Sequence, residues 1–174
     1  NVGDHNPFTK ILLGWVTPYV VKSSTSIELR KFSIYGDCIL LTEQFSSIYS
    51  DYFLIDFYSP TGLNKLEAGY NGLFSCEGIR IYRVNAQLNT KYVDSILDSF
   101  QYDNSYTVIK LIKLIQASGS NSIEKGELST NADLFSFSKT HTLKTRINYV
   151  DIVFKFKADL VKKWYQTKPK KDNY

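Results

Sequence analysis

Apolar and polar positions along the chain follow two different periods. Near the start, Asn6-Pro7-Phe8-Thr9-Lys10-Ile11-Leu12-Leu13-Gly14-Trp15 places Phe8, Ile11 and Leu12 at helical spacing. Asn6 suits an N-cap. Pro7 suits the first helical position, where its missing N–H costs nothing, and Gly14 supplies a left-handed stop. The pattern predicts one short helix, left through Trp15-Val16-Thr17-Pro18, where the proline forbids a central strand.

After that the period becomes two. Ile27, Leu29 and Lys31 alternate with Glu28, Arg30 and Phe32, and the Gly36-Asp37 turn leads into Cys38–Thr42, so the two runs read together as a hairpin. Tyr52–Tyr58 is the strongest strand, with Phe53, Ile55 and Phe57 on one face and Tyr52, Leu54, Asp56 and Tyr58 on the other. Leu63–Tyr70 is read as holding a helical turn, and Gly78–Gln87 is another strand. Val108–Ile115 fits a helix about as well as a buried strand, with β-branched content and the Gly119-Ser120-Asn121 turn favouring the strand. Thr140–Ile147 and Tyr149–Ala158 form a final strand pair. The expected fold is mostly β: a β-sandwich of about seven to eight strands with a short N-terminal helix.

Composition narrows this picture. A chain of 174 residues, 43% hydrophobic and 15% aromatic, is one domain that buries enough apolar area to outweigh its ordering entropy. No apolar run reaches the roughly 18 residues of a membrane span, and no signal-peptide pattern opens the chain. Charge is lopsided. Residues 155–174 carry seven Lys and two Asp, net +5, which leaves −1 for the rest of a +4 chain. So localised an excess argues against nucleic-acid binding, which needs cations spread over a face. The expected organisation is a single β-rich domain over 1–158 and a basic, flexible tail over 159–174. The absence of Met and the start at Asn1 point to a processed or excised piece.

Candidate chemistry is sparse. His5 and His141 are the two histidines and lie too far apart for the His-Glu-x-x-His helix of a zinc peptidase. A disulfide between Cys38 and Cys76 would close a loop of about 38 residues and contribute about 3–4 kcal/mol in the chain-entropy picture; free cysteines in the core are the equal alternative. Asp56, Glu67, Glu77, Asp103 and Asp133 are carboxylates from which a glycosidic pair could be drawn, with nothing in their spacing requiring it. Asn131-Ala132-Asp133, with Glu124 and Glu127 upstream, reads as a polar turn sooner than a Ca²⁺ loop.

Several runs share a family likeness. Gly3-Asp4-His5-Asn6-Pro7-Phe8-Thr9-Lys10-Ile11-Leu12-Leu13-Gly14-Trp15-Val16 resembles the segment after the Met-turn of secreted zinc metallopeptidases of the immune inhibitor A-like family. Tyr52–Asp56 is similar to that family's YFLIE strand and Gly78–Ala86 to its GIRIYHVDA. Lys110–Gly119 is similar to KLIKLIEADG, and Asp133-Leu134-Phe135 to DLF. Arg83, Asn85, Gln116 and Ser118 depart from the pattern, standing where His, Asp, Glu and Asp are expected.

The resemblance implies the β-rich portion of a secreted or cell-surface metallopeptidase, C-terminal to its Met-turn. The zinc, its ligands and the Glu base would belong to a preceding catalytic lobe of the same polypeptide, which would act on protein or peptide substrates. No catalytic or metal-binding residue is expected in this chain, which would be inert alone. Asp4, His5, Lys10 and Trp15 are the residues expected at the contact with that lobe. The competing expectation is a non-catalytic adhesion module that holds glycan or protein on a platform of Tyr49, Tyr52, Tyr58, Tyr70 and Tyr82.

Overall fold

A computed structural model describes residues 3–43, 47–48, 50–85, 91–93, 96–98, 110–137, 140–144, 149–156 and 162–166. The expected helix is present as α1, Pro7–Leu12, with the Asn6 side chain accepting from the Thr9 N–H at 2.9 Å. The strands are β1 (Tyr19–Val21), β2 (Ser26–Leu29), β3 (Cys38–Leu41), β4 (Asp51–Tyr58), β5 (Gly78–Asn85), β6 (Lys91–Val93), β7 (Ile96–Asp98), β8 (Ile112–Ile115), β9 (Thr140–Lys144), β10 (Tyr149–Phe156) and β11 (Lys162–Gln166). A helical turn, α2 (Phe32–Tyr35), sits between β2 and β3.

Two sheets form the sandwich. One runs β1-β3-β4-β5-β8 and the other β2-β11-β10-β9, with β6 and β7 as a separate ribbon. All pairings are antiparallel except β1 on β3, which is parallel. The period-two reading of β4 holds residue by residue. Phe53, Ile55 and Phe57 enter a core shared with Ile39, Leu41, Ile79 and Ile81 of their own sheet and with Leu29, Leu143, Val150, Ile152 and Phe154 of the facing one. Tyr52 and Leu54 turn to the opposite face.

Three features of the organisation differ from expectation. The runs around Gly36 are not a hairpin, because β2 and β3 lie in different sheets. Between them the chain arches through α2, ended by Gly36 in the left-handed region at φ 72°. The arch is clamped by Arg30, whose Nε and Nη2 donate to the Asp37 carboxylate at 2.8 and 2.9 Å. Its guanidinium also lies 4.4 Å from the Tyr35 ring centroid.

The domain does not end at 158. β11 lies between β2 and β10, with Trp164 opposite both Ile27 and Phe154 in register. The run of lysines hides a strand, and the remainder of the expected tail, 159–161 and 167–174, is outside the described residues. Finally, β1 had no sequence signal of its own. Pro18 precedes it, consistent with its position at a sheet edge.

Replacing Ile55, fully buried between the sheets, with Ala should cost about 2–5 kcal/mol. Ile34→Ala, at an exposed position of α2, should change stability by no more than about 0.5 kcal/mol. Urea unfolding of the two variants checks the contrast.

Candidate functional site

The central part of the outer face of the five-stranded sheet is covered. α1 lies across it, with Phe8 and Ile11 packed on Leu40, Tyr52, Leu54, Tyr82 and Val84. Within this cover sits a polar cluster that period-two reasoning placed on the outer face without explaining it. Asp56 of β4 and Arg80 of β5 are paired across the ladder and joined in a two-pronged ion pair at 2.6 and 2.9 Å. Asp56 is completely buried and Arg80 nearly so. The Arg80 guanidinium lies 4.9 and 5.6 Å from the Tyr58 and Tyr82 ring centroids. Burial alone would lower its pKa. The Asp56 carboxylate and the Tyr82 hydroxyl outweigh that and hold it raised, so Arg80 is a permanent cation.

The N-terminal segment closes the cluster. Lys10 Nζ reaches Asp4 Oδ2 at 2.6 Å, and the Asp4 side chain is 1% exposed. The ammonium of Lys10 also lies 4.6 Å from the Phe32 ring centroid, which ties α1 to α2. Asp4 N–H donates to Asn64 Oδ1 at 2.9 Å, and Asn64 Nδ2 donates to the Ser59 carbonyl. Of the four residues expected at a lobe contact, the structure therefore separates two pairs. Asp4 and Lys10 face inward and hold the layer down. His5 and Trp15 are exposed, Trp15 by 60%, with their rings edge to face at 5.7 Å.

Around Trp15 the surface is unusually apolar. Leu12 of α1 and Leu13 just after it, Ile34 and Tyr35 of α2, and Leu63 and Leu66 of the following turns are all exposed, Leu66 by 69%. These elements adjoin one another. Gly36 at the end of α2 packs against Val16, Gly62 against Ile34, and Gly3 against Glu67. Together they make an exposed apolar shelf.

The other candidates resolve into structural roles. Cys38 and Cys76 are free, the first buried and the second exposed, so the bridge considered between them is not formed. Burial pushes the Cys38 thiol up to about 12, with Asp56 and Asp37 adding to the effect. His141 packs between Phe135 and Phe154 and shares a hydrogen bond with the Ser136 carbonyl. Glu77 is paired with Lys31 at 2.7 Å.

Asp133 accepts from the Ser118 hydroxyl and from the Thr130 N–H. Burial would raise its pKa, but these hydrogen bonds, with Gln116, keep it below the usual carboxylate range. Asp103 and Tyr49 lie outside the described residues. Of the proposed tyrosine platform, Tyr52, Tyr58 and Tyr82 are buried in the sheet and its cover, leaving only Tyr70 exposed among the described residues.

The departures from the family pattern form contacts of their own. Arg83 pairs with Asp51 at 2.8 and 3.1 Å. Gln116 bonds Ser122 and the Ile123 N–H, and Ser118 bonds Asp133. Asn85 Oδ1 is buried with no hydrogen-bond partner among the described residues. Among those residues, no group of three or more His, Cys, Asp or Glu is placed to hold a metal ion. No helix there is long and apolar enough to cross a membrane.

In comparisons with known proteins, no family model, no curated protein and no solved structure matches this chain. The metallopeptidase resemblance thus rests on the motifs in the chain itself.

Two outcomes follow from this geometry. Arg80→Met should destabilise the fold by about 3–5 kcal/mol by leaving Asp56 buried and unpaired. The double variant Asp56→Leu/Arg80→Met should cost less than the sum of the single changes; urea unfolding of the full cycle measures the coupling. In the native protein a thiol reagent at neutral pH should label Cys76 alone, with Cys38 reacting only after unfolding. Mass spectrometry before and after denaturation reads this directly.

Proposed function

We propose that this chain is the non-catalytic, β-rich part of an extracellular zinc metallopeptidase, and that its N-terminal layer seats the catalytic lobe. The observation that carries the reading is where the family-like runs fall. Residues 3–16 contain α1, residues 52–56 lie in β4, most of 78–86 is β5, and 110–119 contains β8. β4, β5 and β8 are consecutive neighbours in one sheet. Phe135, in the last run, bridges Ile79 of β5, and α1 lies across the same sheet. Runs scattered over more than a hundred positions thus meet in one structural unit, as segments of a common ancestral framework would.

On this reading the zinc supplies the Lewis acid that activates water for attack on a peptide carbonyl, and no residue of this chain takes part. Its two histidines are held in other contacts: His5 against Trp15, and His141 between phenylalanines. The chain's contribution is mechanical. Asp4 and Lys10 tie α1 to the turn at Asn64 and to α2, and Leu12, Leu13 and Trp15 offer an apolar seat. A second reading, an adhesion module at the cell surface, draws on the same exposed shelf, with Trp15, Tyr35 and Tyr70 as anchors for a separate protein or glycan.

The parent polypeptide distinguishes them. A His-Glu-x-x-His helix upstream of Asn1 is expected, and its absence overturns the peptidase reading. In the intact protein, Leu13→Ser/Trp15→Ser should lower proteolytic activity or the melting temperature of the catalytic lobe. The same changes should leave the unfolding of this chain alone within about 0.5 kcal/mol. Unaltered activity and melting would remove the seating role.

A further inference from the structure

The polar cluster under the N-terminal layer is unbalanced. It contains three carboxylates, Asp4, Asp56 and Glu67, and two cations, Lys10 and Arg80. Four of these five are matched in close pairs, Asp56 with Arg80 and Asp4 with Lys10. Among the described residues, Glu67 is the carboxylate left over. It sits half-buried in the turn after Leu66, against the backbone of Gly3, where even a methyl group on Gly3 would collide with its carboxyl. Its one hydrogen bond among the described residues is long: the Tyr58 hydroxyl lies 3.4 Å from Glu67 Oε2 and shares its proton with the nearer Phe74 carbonyl at 2.8 Å.

We propose that Glu67 is a proton-operated catch for the N-terminal layer, holding residues 3–15 closed when its carboxyl is protonated and loosening them when it ionises.

The groups facing it decide the sign. Tyr58 of β4 is neutral, its own pKa pushed up to about 12 by burial and by Glu67 itself. Tyr82 of β5 is likewise held neutral by burial. Arg80 attracts the ionised carboxylate but is already engaged by Asp56, and Asp4 on the covering segment repels it. Desolvation by the closed layer is the largest influence and raises the Glu67 pKa, with Arg80 and Tyr58 opposing it and Asp4 adding to it.

The closed state therefore binds the proton more tightly than the open one. Closure is favoured at low pH and weakens as pH rises through the range between the two pKa values. The device needs no metal and no partner, so it stands or falls apart from the peptidase reading. What it would govern is the presentation of the Trp15 shelf, since that shelf rides on the same segment.

Hydrogen exchange of the whole chain tests it. The reporters are the amides of Lys10, Leu13, Gly14 and Trp15, which bond to carbonyls within the segment. After correction for intrinsic exchange, their protection in the native sequence should fall as pH rises above the ordinary Glu value of about 4. In Glu67→Gln, which fixes the neutral form in the same shape, protection should stay high across the range. His5 is an exposed residue of the same segment, so His5→Gln serves as the second variant and should retain the native pH dependence. A pH dependence that survives in Glu67→Gln, or that disappears in His5→Gln, overturns the proposal.

Discussion

The Asp56–Arg80 pair sets the terms for one whole side of the molecule. It joins the two central strands of the larger sheet on the face turned away from the sandwich core. Two charges on an open sheet face would be solvated and worth little. Sealed away from water, the pair is tolerable only because the geometry is two-pronged and aromatic rings flank the guanidinium. Sealing requires a cover, and α1 with the turns around Asn64 and Glu67 supplies it. The cover in turn needs its own polar attachments, and Asp4 to Lys10 and Asp4 to Asn64 provide them. A third layer on one face of a β-sandwich thus follows from one ion pair.

That dependence explains which parts of the fold were legible in the chain. β4 could be assigned face by face because both of its faces are buried by different partners, and its alternation of Phe/Ile with Tyr/Leu/Asp separates them. α1 was legible from Asn6 and Pro7 alone, since cap and first-turn chemistry are local. The arch at Gly36 was misread because a glycine turn between two apolar runs signals a reversal. It does not say whether the second run rejoins the same sheet. That choice is made by Arg30 reaching Asp37 and by Phe32 packing under Lys10, interactions invisible to spacing. β11 was missed for a related reason. Its lysines dominate the composition, and only the register opposite Phe154 and Ile27 reveals Trp164 as part of a ladder.

The four residues expected at a lobe contact divide between surface and interior. His5 and Trp15 were singled out for their chain position and do lie at the surface. Asp4 and Lys10, singled out on the same grounds, turn out to be ballast beneath it. The signal that separates the pairs is an acid six positions before a base across a helix start, which a helical wheel does not capture because Asp4 precedes the cap. The shelf itself had no signature at all. Leu12, Ile34, Leu63 and Leu66 come from separate short elements, and each alone reads as an ordinary apolar residue. Only their adjacency makes a surface.

The same adjacency bears on what such a surface can do. A seat for another lobe must be stiff, because any freedom in α1 would be lost on contact and subtracted from the affinity. Here stiffness has an identifiable source, since α1 is pinned through Lys10 to Asp4 and Phe32 and through Phe8 to the sheet. Yet the pins sit beside a carboxylate with no close counter-charge among the described residues, so the stiffness is conditional. A layer that is rigid only while Glu67 keeps its proton has a built-in point of release. The cover that seals the Asp56–Arg80 pair thus carries, in Glu67, the group that adjusts it.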